Sequence, residues 1–217
     1  MSSNCSDTRG DNRRWRAALV ASVLVIGCAA SPHTKGAQTE PAATAQVQRF
    51  QQALISAMQS RERLDFQARF ERLSEVVVEG FDLDYMARLV IGRDWRGLSA
   101  TQREEFRGEF QDLMVSAFAS QVGVFAGEAF KFDAFRPLKT GSVLVRSRLV
   151  RPGADASRFD YVLHEKTGRW LIINLVVDGV SDLALKRSEY GGLIASSGFE
   201  SLMVRIRAQT EAYRSEP

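Results

Sequence analysis

Apolar positions along the chain follow two periods, and the change between them divides the sequence. Val47, Phe50, Leu54 and Met58 are spaced three, four and four apart, the stripe of an amphipathic helix. Phe66, Phe70, Leu73 and Val77 repeat that spacing and predict a second helix. A third opens at Asp82 as N-cap, with Phe81 and Met86 placed as a hydrophobic staple, and stops at Gly92. A fourth begins at Ser99, where Gln102 completes a capping box, and its stripe is Phe106, Phe110, Leu113, Ala117 and Phe118. Near Gly127 the period falls to two. Phe130 and Phe132 alternate with Lys131 and Asp133, Val143 to Val150 is β-branched, and Arg158 to Lys166 alternates Phe159, Tyr161 and Leu163 with polar neighbours. Arg169 to Val177 is almost wholly apolar, as a strand covered on both faces would be. Pro152-Gly153 and Thr167-Gly168 supply turns. Helical spacing returns in Leu183, Tyr190 and Ile194 and again in Phe199, Leu202, Met203 and Ile206. The expected order is helices over 45–122, a four-stranded antiparallel sheet over 128–178 and helices over 181–212, an α+β protein.

The N-terminal residues predict export. Arginines cluster through Arg16, and Ala17 to Ile26 is a run of small and apolar residues, the length of a signal h-region and too short to span a bilayer. The run ends in Val25-Ile26-Gly27-Cys28, which resembles a bacterial lipobox and makes Cys28 the candidate acylated residue, with 1–28 as signal peptide. Ordinary cleavage near Ala30 or Ala37, discarding Cys28, is the alternative. The small, polar stretch 29–44 with its two prolines reads as a flexible tether. The other cysteine, Cys5, lies upstream of the cleavage point, so folding must rest on buried apolar area.

Charge changes the picture little. The net charge is +3, and residues 1–27 carry Arg9, Arg13, Arg14 and Arg16 against Asp7 and Asp11, which leaves about +1 for the rest. Nucleic-acid binding loses its support, because phosphate neutralisation needs a basic excess. Candidate catalytic chemistry is sparse. His33 falls in the tether and His164 at a polar position of an alternating strand, where exposure is expected. No His, Cys and carboxylate cluster has metal-ligand spacing, and no nucleotide or nucleophile motif occurs. Asp82 and Asp84, like Glu104 and Glu105, open helices, where the macrodipole favours acids. Ser181 is placed as the N-cap of the next helix. The expectation is a binding protein and not an enzyme, with no metal and no cofactor; an enzyme on this scaffold would have to use His164 or Asp160.

The 13 phenylalanines concentrate on one helix, one strand and the hairpin. They form either a filled core or the walls of an apolar cavity, two cases that periodicity cannot separate. On the cavity reading Phe106, Phe110, Met114, Phe118, Val145, Tyr161, Ile172 and Val176 are the candidate wall. Arg187 falls in the apolar stripe of Leu183, Tyr190 and Ile194. It is read either as half of a structural ion pair with an acid such as Asp178, or as a contact for an anionic headgroup. Arg146 and Arg148 share one strand face and are expected to be solvated.

Trp170 to Ser181, Lys186-Arg187-Ser188-Glu189-Tyr190 and Gly198-Phe199 resemble the C-terminal signature of the MlaC family, auxiliary proteins of toluene-tolerance type ABC transporters. Phe81-Asp82, Leu89 to Gly92, Trp95 and Gln102 through Phe106 and Phe110 fit the same pattern, so the resemblance runs over about residues 45–212. It implies an NTF2-like sheet wrapped by helices, with a helical lobe and a deep pocket for phospholipid tails. It also implies a periplasmic carrier between MlaA-like outer-membrane and MlaD-like inner-membrane components; a hopanoid or other hydrophobic cargo is the alternative. Asn174 stands where the family typically has an aspartate, and a lipobox at Cys28 departs from its soluble members.

Overall fold

The computed structural model describes residues 35–215. The export signal at 1–28, Cys28 and the first residues of the expected tether lie outside the described residues. Five α-helices and five strands follow one another as α1 (Lys35–Gln59), α2 (Phe66–Gly80), α3 (Leu83–Ile91), α4 (Ala100–Ser120), β1 (Ala129–Pro137), β2 (Val143–Arg151), β3 (Ala154–Lys166), β4 (Arg169–Val177), β5 (Val180–Ser181) and α5 (Asp182–Arg214). This is the α+β order expected, with one strand more than the four foreseen. The extra strand is a two-residue return after the Asp178-Gly179 turn, both residues of which have positive φ.

One expectation needs correcting at the start of the fold. The tether expected over 29–44 is helical from Lys35, and Ala43 is fully buried in the core. Ala42, Ala43 and Ala45 are strong helix formers, and packing of Ala43 supplies tertiary support that composition does not reveal. Pro41 lies inside this helix, where it removes one backbone donor.

The caps form as their residue types require. Asp65 accepts from Ala68 N, Asp82 from Tyr85 N, and Ser181 from Ala184 N, while Ser99 and Gln102 complete a reciprocal capping box. Gly92 ends α3 at φ 68°. Helix α5 is broken at Gly198, whose φ of 80° and ψ of 178° only glycine adopts without strain, so its two halves correspond to the two C-terminal helices expected.

The sheet is an antiparallel meander in chain order. Two irregularities set which residues face the helices. In β1 the register shifts between Phe132 and Ala134, so Phe132 and Phe135, three apart, pair with Ser147 and Val145 on one face. In β4 Val162 pairs with Asn174 and Leu163 with Ile172, leaving Ile173 as the extra residue of a bulge. Against the inner face pack α1, α2 and α3, α4 faces it across the cavities, and Phe50 of α1 is central. Its ring lies 5.0 Å from those of Phe81 and Phe118 and 6.3 Å from that of Tyr161, at edge-on angles. A smaller cluster of Ala57, Leu73, Ala119 and Val122 ties α1, α2 and the end of α4 together. Beside it the buried Arg69 guanidinium donates to the carbonyls of Ala119 and Leu64 at 3.1 Å.

Candidate functional site

Three adjoining cavities lie between helices and sheet. The largest, about 510 Å³, is a groove between α1 and strands β1 and β2. It follows one side of α1 from Thr44 to Gln59, on the order of 22 Å at the helical rise. An apolar cavity of about 120 Å³ lies behind it, walled by Leu54, Met58, Phe118, Phe159, Leu175 and Val177 among others. A third of about 200 Å³ lies between the end of α4, β4 and the start of α5, with Met86, Met114 and Leu183 in its wall. The two smaller cavities share Phe118, Gln121, Leu175 and Val177, so those side chains form the partition between them. Phe130 belongs both to the groove and to the 120 Å³ cavity. The groove alone is within the size range of small-molecule sites, and the smaller two are not until joined.

The groove carries a polar, hydrogen-bonded pair at Gln51 and Ser147, while the Thr44 hydroxyl at its end is buried without a partner among the described residues. Gln51 Nε2 donates to Ser147 Oγ at 2.7 Å and to Tyr161 Oη at 3.3 Å, linking α1 to β2 and β3. Burial pushes the Tyr161 phenol well above its ordinary value, although the bonds with Gln51 and Ser147 act the other way. The phenol therefore stays neutral and serves as a fixed hydrogen-bonding group.

The expected wall residues divide by position. Val145 lines the groove, Met114 the 200 Å³ cavity, and Phe118 both smaller cavities. Phe106 and Phe110 are instead fully buried, stacked on one another at 5.8 Å, with Trp95 against Phe106. They are core, because their side of α4 faces α3 and α5. Tyr161 and Ile172 are fully buried beneath the cavities, on the inner face. Val176 lies on the other face, opposite Asp160, and lines no described cavity. The physical reason is the Ile173 bulge: strict alternation from Ile172 would turn residues 174 and 176 inward, whereas the extra residue turns Leu175 and Val177 inward. Those two were missed, and no signal in an all-apolar strand marks the bulge.

Arg187 also departs from its expected place. It is exposed, and the buried residue of that turn is its neighbour Lys186, whose Nζ donates to Asp182 Oδ1 at 3.0 Å. Asp178 accepts from Arg158 N, not from an arginine side chain of α5. One residue of helical phase, about 100°, accounts for the difference. Arg146 and Arg148 reach carboxylates on the outer face, Asp160 by two bonds of 2.6 and 2.9 Å and Asp133 by bonds of 2.9 and 2.8 Å. Asn174 accepts from Ser181 Oγ at 2.9 Å, which ties the β4–β5 turn to β4.

His164 is part-buried and not exposed as expected. Its Nε2 lies 2.9 Å from Asp82 Oδ2, and Lys166 Nζ lies 2.9 Å from the same oxygen. With the bond from Asp82 N to the Ile172 carbonyl, this clasp fastens the start of α3 to the β3–β4 hairpin. Burial alone would raise the Asp82 carboxyl, but Lys166, the Tyr85 amide and His164 outweigh it and hold the group below the usual carboxylate range. Neither His164 nor Asp160 lines these three cavities, while Asp82 and Lys166 border a separate cavity of about 330 Å³.

A family model described as MlaC protein matches residues 48–208, which take in the second half of α1, the whole sheet and nearly all of α5. The chain belongs to the MlaC family. A curated relative, the intermembrane phospholipid transport system binding protein MlaC of Haemophilus influenzae, is 22% identical over 130 residues, 58% of this chain and 61% of that protein. The alignment thus spans less than two thirds of that relative's length. Among solved structures, the phospholipid-binding protein of Ralstonia solanacearum, in complex with a phospholipid, superposes with a TM-score of 0.70 at 16% identity, over 79% of this chain and 98% of that one. That likeness establishes the MlaC fold for the present chain; nearly all residues of the three cavities fall within the family match.

Proposed function

We propose that this protein is a phospholipid carrier of the cell envelope, holding acyl chains between its sheet and helices and passing them between membrane-bound transport components. The observation that carries the reading is the pair of apolar cavities meeting at Phe118, Leu175 and Val177, with no charged side chain in the wall of the one behind α1. Each methylene transferred into such a space is worth about 0.8 kcal/mol, so tails can supply most of the affinity without specific polar bonds. Membership of the MlaC family and the lipid-bound Ralstonia relative support the same reading. The role is non-enzymatic and periplasmic, with partners of MlaD-like and MlaA-like type. Acylation at Cys28 would leave only Ala29 to Thr34 before α1, a leash of at most about 20 Å when fully extended.

Native mass spectrometry of the exported protein, followed by extraction of its bound lipid, tests this. Phospholipid in the extract supports the carrier. A protein that arrives empty and takes none from vesicles overturns it, and a polycyclic lipid in its place overturns the cargo class. Val145→Trp should lower occupancy at a cost of about 1–3 kcal/mol in stability, because Val145 borders the groove and is itself buried.

A further inference from the structure

The groove along α1 differs in character from the apolar cavities behind it. Gln48, Gln51, Gln52 and Gln59 present amides along the helix, and Ser147 adds a hydroxyl from the sheet. The one charged side chain in its wall is Glu128, and among the described residues lining it there is neither lysine nor arginine. Glu128 is 6% exposed, with Oε2 accepting from Ala126 N at 2.6 Å. Its Oε1 lies 3.8 Å from Arg151 Nη1, beyond hydrogen-bond length, and that arginine is half-exposed. Phe130 connects this polar groove to the apolar cavity.

We propose that the groove holds the polar head of the cargo and selects a zwitterionic, ammonium-bearing phospholipid head over an anionic one. The proposal rests on the carrier reading, since tails lying behind Phe130 bring the head into the groove. There the Gln48, Gln52 and Gln59 amides can donate to phosphate oxygens, which every phospholipid presents, while the Gln51 amide is held by Ser147 and Tyr161. An ammonium also meets the Glu128 carboxylate at low solvent exposure, where attraction between charges is strengthened. An anionic head has no cation in the wall and faces the same carboxylate as a like charge.

The test uses the exported full-length protein stripped of lipid. It is incubated with vesicles of equal phosphatidylethanolamine and phosphatidylglycerol bearing identical acyl chains, and the bound lipid is quantified by mass spectrometry. The expected result is enrichment of phosphatidylethanolamine by roughly three- to tenfold. Glu128→Gln keeps an acceptor for Ala126 N and should bring the ratio near parity. Arg151→Gln, which removes the exposed competing cation, should raise it. Uptake without preference, or preference for phosphatidylglycerol, overturns the proposal and leaves the carrier reading standing. Uptake of neither lipid overturns both. Should Glu128→Gln fail to fold, Arg151→Gln decides: an unchanged or lowered ratio overturns the proposal.

Discussion

Phe118 separates the two apolar cavities, so shortening it should weaken the empty protein and enlarge the space for tails. Its ring is half-buried and packs edge-on against Phe50 at 5.0 Å and at a tilt against Phe81 at 5.5 Å. Phe118→Ala removes those contacts and leaves a void; at about 24 cal/mol per Å³, a residual space of about 90 Å³ costs about 2 kcal/mol. With the lost transfer energy of a half-buried ring, the total should be about 2–4 kcal/mol. For a chain of this size that lowers the melting temperature of the delipidated form by roughly 6–12 °C. The joined space can be filled by an acyl chain, which returns part of the loss, since a ligand at a hundred times its Kd stabilises by about 2.7 kcal/mol. Differential scanning calorimetry of stripped and loaded protein, with native mass spectrometry of bound lipid, reads both quantities. The gap between wild type and variant should shrink on loading. Phe118→Trp should do the converse, reducing lipid bound with little change in the stripped melting temperature. Equal losses in both forms, with lipid uptake lowered in Phe118→Ala, would show that Phe118 is ordinary core and refute the partition.

The clasp at Asp82 predicts a pH dependence. Its folded carboxyl lies below the unfolded value, so its stabilising contribution is complete above about pH 4 and is lost as pH falls through the folded value. Asp82→Asn should cost about 1–3 kcal/mol at pH 7, and urea melts at pH 7, 5 and 3 should show a shallower acid decline than wild type. Asp160, held low chiefly by its bonds with Arg146, keeps part of that decline in the variant. An unchanged slope would mean that the clasp contributes no linkage. Gly198→Ala should lose about 1–3 kcal/mol by strain at the break in α5, seen as a lower urea midpoint with unchanged slope.

Local signals carried most of the fold. Asp82, Ser99 with Gln102, Ser181 and Gly92 each specify a helix end through a bond or dihedral that depends on near neighbours alone, and each is found where its residue type implies. Turn chemistry at Thr167-Gly168 placed the hairpin for the same reason. What was not legible depends on partners distant in sequence. Ala43 joins the core only through packing with residues distant in sequence, so composition alone made it part of a tether. Arg187 and Lys186 are adjacent, and which one turns inward depends on the rotation at which α5 docks. Phe106 and Phe110 share a stripe with Met114 and Phe118, yet the first pair meets helices and the second meets space. Periodicity identifies a buried face without identifying what stands opposite it.

The bulge at Ile173 gives β4 one residue beyond its pairing with β3. Deleting Ile173 would remove the bulge yet keep Ile172 opposite Leu163 and Asn174 opposite Val162, so Leu175 and Val177 would still face the cavities. Substitutions along this strand change the cavity by one side chain at a time, and loss of the unpaired bulge residue exchanges neither face. The lining of this pocket can therefore change by side-chain replacement, while the bulge lets β4 shorten by one residue without exchanging its faces.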